Sequence, residues 1–193
     1  KGAYRLDRRR LVVDDDAEVE VPVEPAHETE HDLLETADLA AREELEDAFA
    51  HYQRVALAAG TSGDWDPWAD LFTEDATYIE HLYGTLGGRE AIRTWITATM
   101  AQPVNCDMRF FPIEWYVIDE EKGWVICEFQ NRMRDPGDGS IHQEPNISVL
   151  KYAGDGLWSY EEDAYNPMNF VPMVRGYIER CKALGTASDD AVA

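Results

Sequence analysis

Asp66-Pro67-Trp68-Ala69-Asp70-Leu71-Phe72-Thr73-Glu74-Asp75-Ala76-Thr77-Tyr78-Ile79-Glu80-His81, then Gly84 and Gly87-Gly88-Arg89-Glu90-Ala91-Ile92, leading to Trp95-Ile96, is the stretch that decides the fold. Asp66 before Pro67 reads as an N-cap followed by proline at the first helical position, opening a short helix that buries Trp68, Leu71 and Phe72. Asp75 to His81 reads as a strand, and the glycines at 84, 87 and 88 as the turn that leaves it. Arg89 to Met100 is then a helix with Ile92, Trp95, Ile96 and Met100 on one face.

On the N-terminal side, Leu45, Ala48, Phe49, Tyr52, Val55, Ala56 and Ala59 recur at helical steps, and Gly60 is the expected end of that helix. On the C-terminal side the period changes to two. Strands are expected over 110–119, 124–134, 146–152 and 157–165, separated by Glu121-Lys122-Gly123, Pro136-Gly137-Asp138-Gly139 and Gly154-Asp155-Gly156. Asn166-Pro167 starts a last helix that stops at Gly185. Helices followed by a meander give an α+β fold. A curved antiparallel or mixed sheet wraps the helices and leaves a concave pocket.

The Leu71-Phe72-x-x-Asp75-Ala76 run entering a strand, with the Gly88-to-Ile92 turn into a helix and four strands behind it, resembles the NTF2-like superfamily, which includes SnoaL-like, ketosteroid-isomerase-like and limonene-epoxide-hydrolase-like domains. The resemblance covers roughly residues 40 to 170 and implies a cone-shaped domain around one pocket. It implies acid–base chemistry of the isomerase or lyase type on a small, mostly apolar oxygenated molecule, without a cofactor. Members that only bind ligands or act as scaffolds offer the alternative.

Carried over by position, the resemblance points to Glu80, eight residues after Phe72, as general base, with Tyr52 as oxyanion donor. Ser148 falls where the isomerases have a second, acidic donor. The epoxide hydrolases' strand pair falls on Tyr78 and Glu80; Asp163 matches one of their later carboxylates, with Gln130 and Arg132 near the other two positions.

Strand alternation groups Tyr78 with Glu80, and Asn146 and Ser148 with Leu150 and Tyr152. Trp68 is expected as a pocket wall, and Tyr165 and His81 as further substrate-binding candidates; a regular strand turns His81 to the face opposite Glu80, and a strand-end bulge returns it to the pocket mouth. The competing reading of Glu80 is a strand-end carboxylate facing water or paired with Arg89 or Arg93. Trp65, Trp95 and Trp115 read mainly as core.

The chain carries 39 acidic and 17 basic residues, a net charge of −22, which repels nucleic acid and anionic membrane surfaces. Cys106, Cys127 and Cys181 form no C-x-x-C pair, so neither a disulfide framework nor a zinc site is expected, and Cys127 reads as a small buried hydrophobe. No metal site is expected at all, since no ligand set recurs at helical spacing. Leu11-Val12-Val13 is too short for the apolar core of a signal peptide, and the expectation is cytoplasmic. Residues 1–31 read as a flexible or surface-draped acidic arm, 32–185 as the domain and 186–193 as a disordered tail. Large apolar residues on both strand parities, among them Trp115, Val117, Trp124, Ile126, Trp158 and Tyr160, lead to the expectation of a homodimer through the outer sheet face.

Overall fold

The computed structural model describes residues 30–186, with side chains from Ala41 onward. The expected arm and tail lie almost wholly outside those residues. The helices are α1 (Glu30–Ser62), α2 (Asp66–Ala69), α3 (Arg89–Met100) and α4 (Pro167–Leu184). The strands are β1 (Phe72–Glu80), β2 (Gly84–Gly87), β3 (Met108–Phe110), β4 (Ile113–Asp119), β5 (Trp124–Met133), β6 (Gln143–Gly154) and β7 (Leu157–Ala164).

They form one mixed sheet in the order β2-β1-β7-β6-β5-β3, with β4 also on β5. The β1–β7 pair is parallel and the others antiparallel. Every expected helix and strand is present, and the α+β architecture holds. Several boundaries differ. Phe72 opens β1 instead of belonging to the short helix, which ends at Ala69, and β6 spans Gln143–Gly154. The run at 110–119 is two strands, broken at Phe111-Pro112, because proline cannot donate to a ladder. The glycine-rich turn contains the short strand β2, paired to the end of β1.

Gly60 does not end α1. The helix continues to Ser62 and stops at Gly63, whose φ of +80° suits glycine. Gly60 matters for packing instead. A Cβ there would sit 2.4 Å from the Arg109 carbonyl oxygen, so the missing side chain lets α1 lie against β3. The cap of α2 is also one residue earlier than expected: Trp65 is the N-cap, and the Asp64 carboxylate accepts the Asp66 N–H at 3.2 Å. At α4 the reading holds, with the Asn166 side chain accepting the Met168 N–H at 3.1 Å and Gly185 in the left-handed region.

The larger core is built from the buried stripe Leu45, Phe49, Tyr52 and Ala56 of α1, packed with Phe72, Ile92, Val125 and Trp158. Complete burial of a side chain such as Phe49 contributes about 1.5–3 kcal/mol. A smaller cluster joins Met173, Tyr177 and Cys181 of α4 to Met133 of β5. Cys127 is buried as expected.

One irregularity sets up everything that follows. In the β6–β7 ladder Lys151 faces Tyr160 while Tyr152 faces Trp158, which leaves Ser159 unpaired as a bulge. Strict alternation puts Trp158 on the face opposite Glu161 and Asp163. The bulge reverses the parity, so Trp158, Glu161 and Asp163 all point inward and are buried. Trp158 is therefore core, not part of the outer face. On that outer face Trp115 and Val117 are exposed, contrary to the core reading of Trp115. The Lys151 ammonium lies over the Trp124 and Tyr160 rings, at 4.8 and 3.9 Å from their centroids.

Candidate functional site

The sheet curves over a cavity of about 280 Å³ whose walls are mostly aromatic and aliphatic. Helix α1 delivers Tyr52, the α2 segment Trp65 and Trp68, and α3 Trp95 and Ile96. Gln53 of α1, Thr99 of α3 and Asn131 of β5 add polar groups, and the acids come from strand faces. Tyr78 and Glu80 point inward from β1, Asn146 from β6, Glu161 and Asp163 from β7, and Tyr165 follows β7. Of the expected site residues, Tyr52, Trp68, Tyr78, Glu80, Asn146, Asp163 and Tyr165 meet in this one cavity.

Two do not line it. Ser148 is fully buried behind Asp163 and donates its hydroxyl to that carboxylate. His81 stands on the outside, with Nε2 3.0 Å from Glu162, because the alternation that turns Glu80 inward turns the next side chain outward. Gln130 is buried on β5 and Arg132 bonds Gln143 at 2.6 Å, so neither joins Asp163 at the cavity.

Glu80 is 3 % exposed, which removes the water-facing reading. Neither Arg89 nor Arg93 reaches it: Arg89 donates to the Phe72 carbonyl, and Arg93 to Asp66, Asp70 and Glu90. Its own partners are different. Glu80 Oε2 accepts the backbone N–H groups of Leu82 and Tyr83, each at 2.7 Å, and Oε1 accepts the Tyr165 hydroxyl. The carboxylate thus caps the turn after β1.

Sequence reasoning does not single out Glu161, because Glu161-Glu162-Asp163 looks like a solvated acidic run. It is 1 % exposed, and both its oxygens accept from the Tyr52 hydroxyl, at 2.8 and 3.0 Å. Burial holds its carboxyl well above the ordinary carboxylate range, and the neighbouring Asp163 raises it further. Burial also raises Asp163, but the Ser148 and Tyr78 hydroxyls both donate to it and oppose that rise. The two carboxyls differ in their hydrogen bonding: Glu161 accepts from one hydroxyl and Asp163 from two. Tyr52 and Tyr78 are both pushed well above the usual phenol range by burial and the nearby acids, so they remain donors.

Among the described residues lining the cavity there is no Lys, Arg or His. Nor do the described residues contain a cluster of His, Cys, Asp and Glu shaped to hold a metal ion. No helix among them is long and apolar enough to cross a membrane. Two buried polar atoms of the cavity residues have no partner, Asn146 Oδ1 and Trp95 Nε1.

Several solved structures are similar. A ketosteroid-isomerase-like protein from Catenulispora acidiphila, in complex with trimethylamine, shares 21% identity over 64% of this chain and 92% of its own, with a TM-score of 0.52. An NTF2-like protein from Anabaena variabilis shares 15% identity over 64% of this chain and 90% of its own, at a TM-score of 0.50. The epoxide hydrolase/cyclase-like enzyme SalBIII, described for pyran ring formation in the polyether salinomycin, shares 16% identity over 66% of this chain and 94% of its own, at a TM-score of 0.51. At these identities the likeness is one of fold. No curated protein matches the chain. The SnoaL-like domain family matches residues 52–161, more than half of the sequence and the whole span from Tyr52 to Glu161 that builds most of the cavity, so the protein belongs to the SnoaL-like domain family.

Proposed function

We propose that the domain binds a small, mostly apolar oxygenated molecule in this cavity and moves a proton on it, in an isomerisation, dehydration or cyclisation. The observation that carries the reading is the pair Glu161 and Asp163. Two buried carboxyls sit two residues apart on one strand face, each bonded to a tyrosine, against a mostly apolar cavity. In this reading Asp163, with two hydroxyl donors, ionises first and is the base that takes a proton from carbon or hydroxyl. Glu161, still neutral, accepts the Tyr52 O–H on one oxygen and offers its own proton to an oxygen of the ligand. Tyr78 and Ser148 hold Asp163 in place.

Glu80 supports the turn and the Tyr165 ring in this reading. The base role assigned to it by position passes to Asp163, because its lone pairs already serve two backbone N–H groups and a phenol. That solved structures of the same fold include a cyclase-like enzyme agrees with proton chemistry in such a pocket.

A substrate-independent probe tests the reading. Nitrobenzisoxazole opens when a base removes its ring C–H proton: the N–O bond breaks, a nitrile forms and a coloured phenolate leaves. The wild type is expected to open it faster than free carboxylate at the same pH, and Asp163→Asn to lose about two to four orders of magnitude of that rate. A rate equal to that of acetate, or an unimpaired Asp163→Asn, removes the base assignment and favours a domain that only binds.

A further inference from the structure

Hydrogen bonding inside the cavity is lopsided. Four hydroxyls direct their protons to carboxylates: Tyr52 to Glu161, Tyr78 and Ser148 to Asp163, Tyr165 to Glu80. Because the single Ser148 proton goes to Asp163, its oxygen accepts from Asn146 Nδ2, at 3.3 Å. That contact fixes the orientation of the Asn146 amide and leaves Oδ1 as the atom without a partner, on a side chain 3 % exposed that lines the cavity. A buried carbonyl left unpaired costs about 1–3 kcal/mol, so a donor belongs there.

What remains on offer to a ligand includes Asn146 Oδ1 and the carboxyls of Glu161 and Asp163, beside the Gln53 and Asn131 amides, which can donate or accept, with no described cationic side chain to answer the acids. The walls around these acceptors include Trp65, Trp68 and Trp95, whose ring faces favour a positive charge. The net charge of −22 works in the same direction at long range, drawing cations and repelling anions. One wall group points to a further feature. The Trp95 Nε1–H is buried without a partner among the described residues and needs an acceptor.

From this acceptor-rich, aromatic, cation-free cavity we infer that the ligand is a protonated amine, an oxygenated and otherwise apolar molecule whose N–H groups answer Asn146 Oδ1 and the carboxylates. The inference rests on the reading of this cavity as the ligand site and does not depend on which carboxyl acts as base.

The test is a series of one shape and three charges: phenethylamine, phenethyl alcohol and phenylacetate, titrated calorimetrically into the full chain. Phenethylamine should bind at least about tenfold more tightly than the alcohol, a difference of about 1.4 kcal/mol, and phenylacetate should not bind. Asp163→Asn should narrow the amine–alcohol gap, its folding checked by a cooperative thermal transition. Asn146→Leu, which removes the unpaired acceptor, should weaken the amine more than the alcohol.

Equal or tighter binding of the alcohol, measurable binding of phenylacetate, or no binding of any of the three at millimolar concentration overturns the inference. Ring opening measured on the same preparation separates it from the proposed function. Amine preference without ring opening defeats the base assignment and upholds the ligand class, whereas ring opening without amine preference does the reverse.

Discussion

Asp107 and Asp163 are both aspartates held by a tyrosine, in different regions of the domain, and they differ in one respect. Asp107 lies beside the smaller core, where its carboxylate meets the Tyr177 hydroxyl at 2.8 Å, Arg134 Nε at 2.7 Å and Arg109 Nη2 at 3.5 Å. The negative charge is answered by two guanidiniums, and it ties the turn before β3 to the end of β5 and to α4. Asp163 has Tyr78 and Ser148 but no cation, and the carboxyl of Glu161 lies close enough for each to feel the other's charge. The first arrangement is complete without a ligand. The second leaves charge and proton affinity to be used, at some cost in stability, and that difference marks the site.

The largest expected effect is the one that separates these two aspartates. Asp163→Asn should lower nitrobenzisoxazole opening by about two to four orders of magnitude while stability holds or rises, since a buried charge without a counterion is removed. Asp107→Asn should leave that rate within about twofold. If both variants lose the activity equally, the contrast collapses into a general effect on folding. The reverse experiment comes next in size. Asp107→Ala strands Arg134 and the Tyr177 hydroxyl in a half-buried site and should cost about 1–3 kcal/mol by urea denaturation. Stability unchanged within error would show the cluster to be as weak as an exposed ion pair.

How much of this is legible from residues alone follows from where local rules hold. The run Leu71-Phe72-Thr73-Glu74-Asp75-Ala76, the Arg89–Met100 face and the Asn166-Pro167 cap act through neighbours in sequence, so the family and nearly all elements are readable. Tyr52, Tyr78, Glu80 and Asp163 are found through the family resemblance and do converge on one cavity. Glu161 is not, because it stands in Glu161-Glu162-Asp163, which looks like a solvated acidic run. Trp158 is misplaced for another reason: a single unpaired residue, Ser159, inverts the alternation, and nothing in Leu157-Trp158-Ser159-Tyr160-Glu161 announces it. That bulge sends Trp158 into the core on the same face as Glu161 and Asp163. Gly60 departs from its sequence reading for a related reason: it serves the approach of Arg109, far along the chain, not the local helix end.

The pH dependence of stability extends the comparison. Glu161 is protonated in the folded state at pH values where it is ionised in the unfolded chain, because its folded value is raised well above 4.5. Folding therefore takes up a proton in that window, and stability falls as pH climbs from about 4.5 toward the raised value. The melting temperature of Glu161→Gln should decline less steeply over the same range than that of the wild type. Parallel slopes would place the titration elsewhere in this acidic chain. The smallest effect is expected for Tyr52→Phe. It removes one neutral donor to Glu161 and should slow ring opening by about tenfold or less, with about 1 kcal/mol lost in stability. A loss matching that of Asp163→Asn would make Tyr52 part of the base unit itself.

The central claim is that the cavity's carboxyls lack a countercharge, so that one keeps its proton at neutral pH. The protonated carboxyl C=O stretch in the infrared spectrum reads this directly, by difference between the wild type and Glu161→Gln at pH 7. The expected result is a band for one protonated carboxyl in the wild type that is missing from the variant and disappears only as the pH is raised further. A wild-type spectrum with no such band, all carboxylates ionised at pH 7, would contradict the claim.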